Sequence, residues 1–164
     1  PHHEMITSED QVQIYEELMA DTEGRITTSF VGLDRHIKNN RLLPKGWRPD
    51  GPLASVTAPH GEAEKDPEYV NRNGSSGADT IKYRIALNEK TRGVVAVIAV
   101  LYYQSIPPYY LKQRFTIGKG PETKRLAYLT SHLSVEETPL ENWKLSLVCA
   151  VRGMKDSASQ PCQR

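Results

Sequence analysis

Residues 80–104, TIKYRIALNEKTRGVVAVIAVLYYQ, decide the expected fold. Ile81, Tyr83, Ile85 and Leu87 alternate with polar or small residues, which is the period of a strand with one wet face and one buried face. Residues 94–103 are instead an unbroken apolar run rich in β-branched and aromatic side chains, as expected of a strand covered on both faces. Between the two, NEKTRG at 88–93 supplies Asn and Gly, which tolerate positive φ, in a polar turn. The stretch predicts a long hairpin whose side chains, from Ile81 through Leu101, fill the middle of an all-β core.

The flanking segments extend that expectation. In QVQIYEELM at 11–19, Val12 and Ile14 fit strand alternation, while Val12, Tyr15 and Met19 fit a helical stripe; the strand is preferred. A turn at 20–24 leads into RITTSFVGLDRHI at 25–37, where Ile26, Thr28 and Phe30 recur in period two, so a second hairpin is expected. KNNRLLPKGWRPDG at 38–51 reads as an ordered loop anchored by Leu42, Leu43 and Trp47. Residues 52–77 read as a long surface connection with a short edge strand at 55–57.

Beyond the central stretch, Ile106, Pro107 and Pro108 are expected to end the strand near Gln104, because proline lacks the amide donor. PETKRLAYLTSHLS at 121–134 places Leu126, Leu129 and Leu133 at helical spacing behind Pro121 and predicts one amphipathic helix. In NWKLSLVCAVRGM at 142–154, Trp143, Leu145, Leu147, Cys149 and Val151 alternate as a last core strand. The expected architecture is mainly β: an antiparallel β-sandwich of immunoglobulin-like or jelly-roll type with one short helix. It would run over 11–154, after an N-terminal extension at 1–10 and before a tail at 155–164.

At 164 residues, one domain with a real core is the default expectation. Twenty-one Lys and Arg against twenty Asp and Glu leave a net charge of +1, so no overall field draws in nucleic acid. The run at 94–103 is about half the ~20 residues a membrane-spanning helix needs, so no span is expected. The chain opens at Pro1 without a Met or a basic-then-apolar leader, as a processed chain or a fragment would. Cys149 and Cys162 are too few for a disulfide scaffold; one bridge pinning the tail, or a core thiol with a loose partner, both stay open.

No catalytic constellation emerges, and the chain reads as a non-enzyme. His36, His60 and His132 are isolated, His2 and His3 adjoin at the start, and no HExxH or CxxC pair marks a metal site. No Ser sits in a GxSxG elbow, and NGSSG at 73–77 lacks the spacing of a phosphate cradle. Asp66, Glu68 and Asp79 offer calcium ligands without the DxDxDG pattern, so no metal is assigned. No CxxCH motif is present, so no haem is bound covalently. Tyr102, Tyr103, Tyr109 and Tyr110 surround the Ile-Pro-Pro corner and Trp47 lies in another proline-rich loop; such rings stack on sugars, line an interface, or simply pack inward.

Four stretches in order, DQVQIYEELMAD at 10–21, GRITTSF at 24–30, HIKNNRLLPKGW at 36–47 and GADTIKYRIALNEKTRGVVAVIAVLYYQSIPPYYL at 77–111, carry a resemblance. Together they resemble the non-haem C-terminal β-domain of secreted bacterial multihaem c-type cytochrome family proteins. The resemblance implies a β-sandwich attached to a haem-bearing portion, a periplasmic or extracellular location, and a place in an electron-transport assembly. It implies a non-catalytic structural module that docks on or shields a multihaem cytochrome domain or subunit, with haem c in the adjoining part. His2 or His3 would then serve as an axial ligand to a haem held by a neighbouring polypeptide. The expected interface residues are Leu42, Leu43 and Trp47 in one loop and Tyr109 and Tyr110 in another. The alternative is a carbohydrate-binding module in which Trp47, Tyr109 and Tyr110 stack on a glycan.

Overall fold

The computed structural model describes residues 1–67, 69, 78–86, 88–155 and 158–162. The chain divides into two compact units, Pro1–Ala86 and Leu87–Arg164.

In the first unit, β1 (Met5–Ile6) is followed by β2 (Glu17–Ala20), β3 (Ile26–Thr27) and β4 (Arg35–Asn39). A one-turn helix α1 (Ala54–Thr57), a 3₁₀ turn at Gly61–Glu64 and β5 (Lys82–Tyr83) complete it. β2 is the centre of an antiparallel sheet in the order β3-β2-β4, with Met19 opposite Thr27 and Glu17 opposite Asn39. The tight link between β2 and β3 has a local cause. Asp21 Oδ1 accepts the backbone N–H groups of Glu23 (3.0 Å) and Arg25 (2.9 Å), and Gly24 takes φ +80°. These N–H groups, Arg25's first, hold the Asp21 carboxyl below its ordinary range. β1 pairs in parallel with β5, Ile6 opposite Tyr83, so the first residues are built into the unit rather than trailing from it.

The core of this unit is small: Leu43, Ala63 and Tyr69, with Tyr15 and Trp47 packed against them. Polar residues are buried as deeply, and each is partnered. Lys38 Nζ donates to the Ile14 carbonyl (2.9 Å) and to Glu16 Oε1 (3.0 Å). Asn39 exchanges backbone hydrogen bonds with His60, at 3.1 and 3.0 Å. A chain reversal through Gly61 at φ +81° allows this bridge, and a Cβ there would sit 3.0 Å from the Ile37 carbonyl.

In the second unit, β6 (Ala96–Tyr103) is followed by α2 (Pro108–Ile117), α3 (Pro121–His132), β7 (Leu140–Glu141), β8 (Lys144–Gly153) and β9 (Gln160–Pro161). β6 pairs antiparallel with β8 along its full length, and β7 and β9 pair with the other edge of β8. Cys149 and Cys162 form a disulfide with Cα atoms 5.4 Å apart, and the Cys162 N–H donates to the Cys149 carbonyl at 3.2 Å. The segment read as a tail is thus tied back by a strand and a covalent bond.

The sandwich expectation is overturned. Strand and helix take nearly equal shares, about 25% and 24%, and three separate small sheets replace two packed ones. The central hairpin does not form, because the alternating residues around Ile81 yield only β5 and join the first unit, while β6 finds its partner in β8. The register explains the preference: β8 offers a ladder running from Leu145 to Gly153, whereas Glu89–Thr91 tightens into a 3₁₀ turn. Residues 55–57 are helical, not an edge strand. The prolines after β6 do more than end it, since Pro108 occupies the first turn of α2, where its missing N–H costs nothing. Trp143, expected in the core, instead sits in the β7–β8 turn. There Asn142 and Trp143 both take positive φ, 48° and 65°, as a two-residue type I′ hairpin requires.

Candidate functional site

The densest polar constellation lies in the first unit. One ring nitrogen of His2 and carboxylate oxygens of Asp66 and Asp79 all lie within 4.8 Å of one another, near enough for a single ion to touch all three. The hydrogen bonds around them decide against that use. Asn40 is oriented by the Glu16 N–H on its Oδ1 (2.8 Å) and by its own Nδ2–H on the Ile14 carbonyl (2.9 Å), so Nδ2 also faces His2 Nδ1 at 3.2 Å. Gln13 is oriented by the His3 N–H on its Oε1 (2.8 Å), and its Nε2 lies 3.0 Å from the same His2 Nδ1. Two amide donors therefore fix Nδ1 as an acceptor and leave the proton on Nε2, which points at Asp66 Oδ2 from 3.0 Å. A ligating imidazole needs its outer nitrogen to donate to an acceptor; this one meets only donors.

The carboxylates are likewise satisfied from within. Asp66 Oδ1 takes the Tyr69 N–H at 3.3 Å. Asp79 Oδ2 takes the Tyr15 hydroxyl (2.7 Å) and the Gln13 amide (3.4 Å), and its Oδ1 takes the Thr80 N–H (2.8 Å). Burial, then the Asp79 carboxylate, pushes the Tyr15 phenol above its ordinary range. Burial first, and Asp79's charge second, does the same for Tyr69, whose hydroxyl donates to the Arg41 carbonyl. The His2 backbone N–H, 2.6 Å from Glu62 Oε2, holds the Glu62 carboxyl below its usual value. The cluster is a buried hydrogen-bonded knot that fastens the start of the chain to Glu62, Asp66 and Asp79. Of the calcium trio read from sequence, Asp66 and Asp79 meet here, and Glu68 lies outside the described residues.

The sequence-derived site residues scatter. His2, expected as an axial ligand to a neighbouring haem, has both ring nitrogens engaged inside the chain by Asp66, Asn40 and Gln13, and nothing in its local sequence announces them. His3 is half-buried beside it. Leu43, expected at an interface, fills the core, and Trp47 packs against that core with Nε1 on Thr57 Oγ1 at 2.9 Å. Leu42 alone of that loop's three anchors is exposed. Tyr109 and Tyr110 are half-buried in the first turn of α2 rather than in a loop, with the Arg114 guanidinium 4.9 Å over the Tyr110 ring.

The second unit presents a surface that sequence reasoning missed. Among its described residues none is buried. Cross-strand partners share a face, so the register places Val97, Ala99, Leu101 and Tyr103 beside Arg152, Ala150, Val148 and Leu145. On that face Val97 is 46%, Leu101 41%, Tyr103 55% and Val148 58% exposed. The opposite face carries Cys149 and is half-buried apart from Ile98, while Leu147, at the register shift, is also exposed. At one end of the sheet Trp143, 43% exposed, is held in the left-handed turn. The charge is also uneven. Residues 1–86 hold ten Lys and Arg against fourteen Asp and Glu, and residues 87–164 hold eleven against six. Lys112, Arg114, Lys119, Lys124 and Arg125 face a single acid, Glu122, across α2 and α3. No described helix is long and apolar enough to cross a membrane. Compared with family models, with curated proteins and with solved structures, the chain matches none.

Proposed function

We propose that this chain is a non-catalytic interaction module whose second unit docks on a haem-bearing domain or subunit of a multihaem c-type cytochrome assembly. The observation that carries the proposal is the exposed apolar face of β6 and β8, built from Val97, Leu101, Tyr103 and Val148 in a unit that buries none of its described residues. Contiguous apolar surface of this kind is a mark of a contact site. Trp143 supports it, because a bulky residue kept at positive φ costs stability that a Gly would spare, and such strain persists where a side chain has a task. The resemblance of 10–47 and 77–111 to multihaem cytochrome domains names the partner class. The disulfide between Cys149 and Cys162 supports an exported location, where such bonds persist.

The contribution of such a module is physical rather than chemical: it keeps water from a neighbouring haem edge and fixes its placement, and burial of that kind helps set haem potential. Docking is favoured over glycan stacking because Trp47 packs against the first unit's core and Tyr109 and Tyr110 are half-buried on α2. The test is purification of the native assembly through a tag on this chain, with an absorption spectrum and subunit composition. A c-type haem polypeptide that copurifies with the parent chain, and is lost with Leu101→Glu and Val148→Glu, is the expected result. A colourless chain that comes alone refutes it.

A further inference from the structure

We infer that the outer edge of β6 accepts an added strand from an acidic partner polypeptide, so that docking proceeds by extension of the β6–β8 sheet. The inference rests on the docking proposal and states how the contact is made. β6 is the terminal strand of its sheet, and among the described residues it pairs with β8 alone. Over 96–101, a strand in that position leaves alternate N–H and C=O groups unmatched by any ladder. Proteins ordinarily blunt such an edge with a charge, a proline or a very short strand. AVIAVLYY over Ala96–Tyr103 has no charge and no proline and spans eight residues.

The other margin of the same sheet is treated in the opposite way. On β8, the β7 hairpin covers Lys144 and Leu145, and β9 covers Ala150 and Val151. The Cys149–Cys162 disulfide ties β9 in place and the Cys162 N–H occupies the Cys149 carbonyl. One edge carries two short strands and a covalent tie, and the other bears no strand among the described residues. That asymmetry is the expected form of a sheet built for strand addition, in which main-chain hydrogen bonds give affinity and the alternating side chains give specificity.

Charge identifies the occupant. β6 and β8 contain Lys144 and Arg152 and no carboxylate, and the unit around them holds eleven bases against six acids. Pairing two β6 edges would set Lys144 and Arg152 of each sheet against like charge, whereas an extended segment with apolar alternation and acidic ends is attracted. Such a segment would lay its alternate side chains beside Val97, Ala99 and Leu101.

The test uses the full chain and two synthetic peptides, one alternating Val and Thr between paired Glu ends, the other its twin N-methylated at every second amide. The unmodified peptide is expected to bind at least about tenfold more tightly, to lose affinity with added salt, and to slow amide exchange at 97–101. Equal binding of the twin, or no change in exchange along β6, overturns the inference without any variant that might fail to fold. A chain that already sediments as a dimer with 97–101 protected assigns the edge to a second copy and overturns it too. Copurification of a haem polypeptide alongside a failed peptide test leaves the docking proposal standing and removes only the edge.

Discussion

The imidazole Nε2 of His2 lies 3.0 Å from Oδ2 of Asp66, although sixty-four positions separate them, and both side chains are almost wholly removed from water. A donor and a charged acceptor buried together are each costly to orphan. Asp66→Ala strips the acceptor from His2 Nε2–H and from the Tyr69 N–H, and is expected to cost about 2–4 kcal/mol. The His2→Ala, Asp66→Ala cycle in urea should be strongly non-additive. Additive losses would mean the pair is not coupled.

Asn40→Asp is nearly isosteric, yet it replaces the amide donor facing the Ile14 carbonyl and His2 Nδ1 with an acceptor, and adds an anion near Asp66 and Asp79. A loss of about 3 kcal/mol or more is expected. Nitrogen shifts of the His2 ring should report Nδ1 as the unprotonated atom in the parent chain. A parent ring protonated at Nδ1 would refute the assigned tautomer.

Trp143→Gly relieves positive φ at the second turn position and completes an Asn-Gly pair suited to a type I′ hairpin. The variant is expected to gain about 1 kcal/mol of stability while losing capture of the haem polypeptide. Gain without loss of capture would make the strain incidental.

Breaking Cys149–Cys162, by reduction or by paired Ala substitutions, reopens a loop of sequence separation 13 and is expected to cost about 3 kcal/mol. Amide exchange at 149–151 should accelerate first, because β9 and the Cys162 N–H cover those positions. Unchanged exchange would show that the strand holds without its bond.

Two pH limits follow from the shifted groups. Tyr15 and Tyr69 are pushed above the ordinary phenol range, so their contribution is intact below about pH 10 and is lost as pH rises toward their folded values. Ultraviolet titration should find Tyr15 and Tyr69 ionising above the ordinary phenol range, together with unfolding. Glu62 is held below the ordinary carboxyl range, so its contribution is present at neutral pH and is lost as pH falls through its folded value. Glu62→Gln should blunt that acid limb.

The long elements were legible because their signals are local. The apolar run became β6, the alternation after Trp143 became β8, and Pro121 with its leucine spacing became α3. What was not legible was partnership. Alternation at Ile81 and Tyr83 is as compatible with a two-residue parallel pairing to Met5 and Ile6 as with a hairpin, and only tertiary competition chooses. The His2 knot draws Gln13, Asn40, Asp66 and Asp79 from four distant stretches, each of which looks like ordinary surface polarity by itself. The side chains of β6 read as interior because they are apolar; that half of them face outward depends on what the sheet lacks, which no run of residues encodes.

A disulfide set at one rim of a small sheet also governs stoichiometry. With that rim occupied, the ladder lengthens only past β6, so each copy of the chain can stand at the end of an extended sheet but cannot link two neighbours along it.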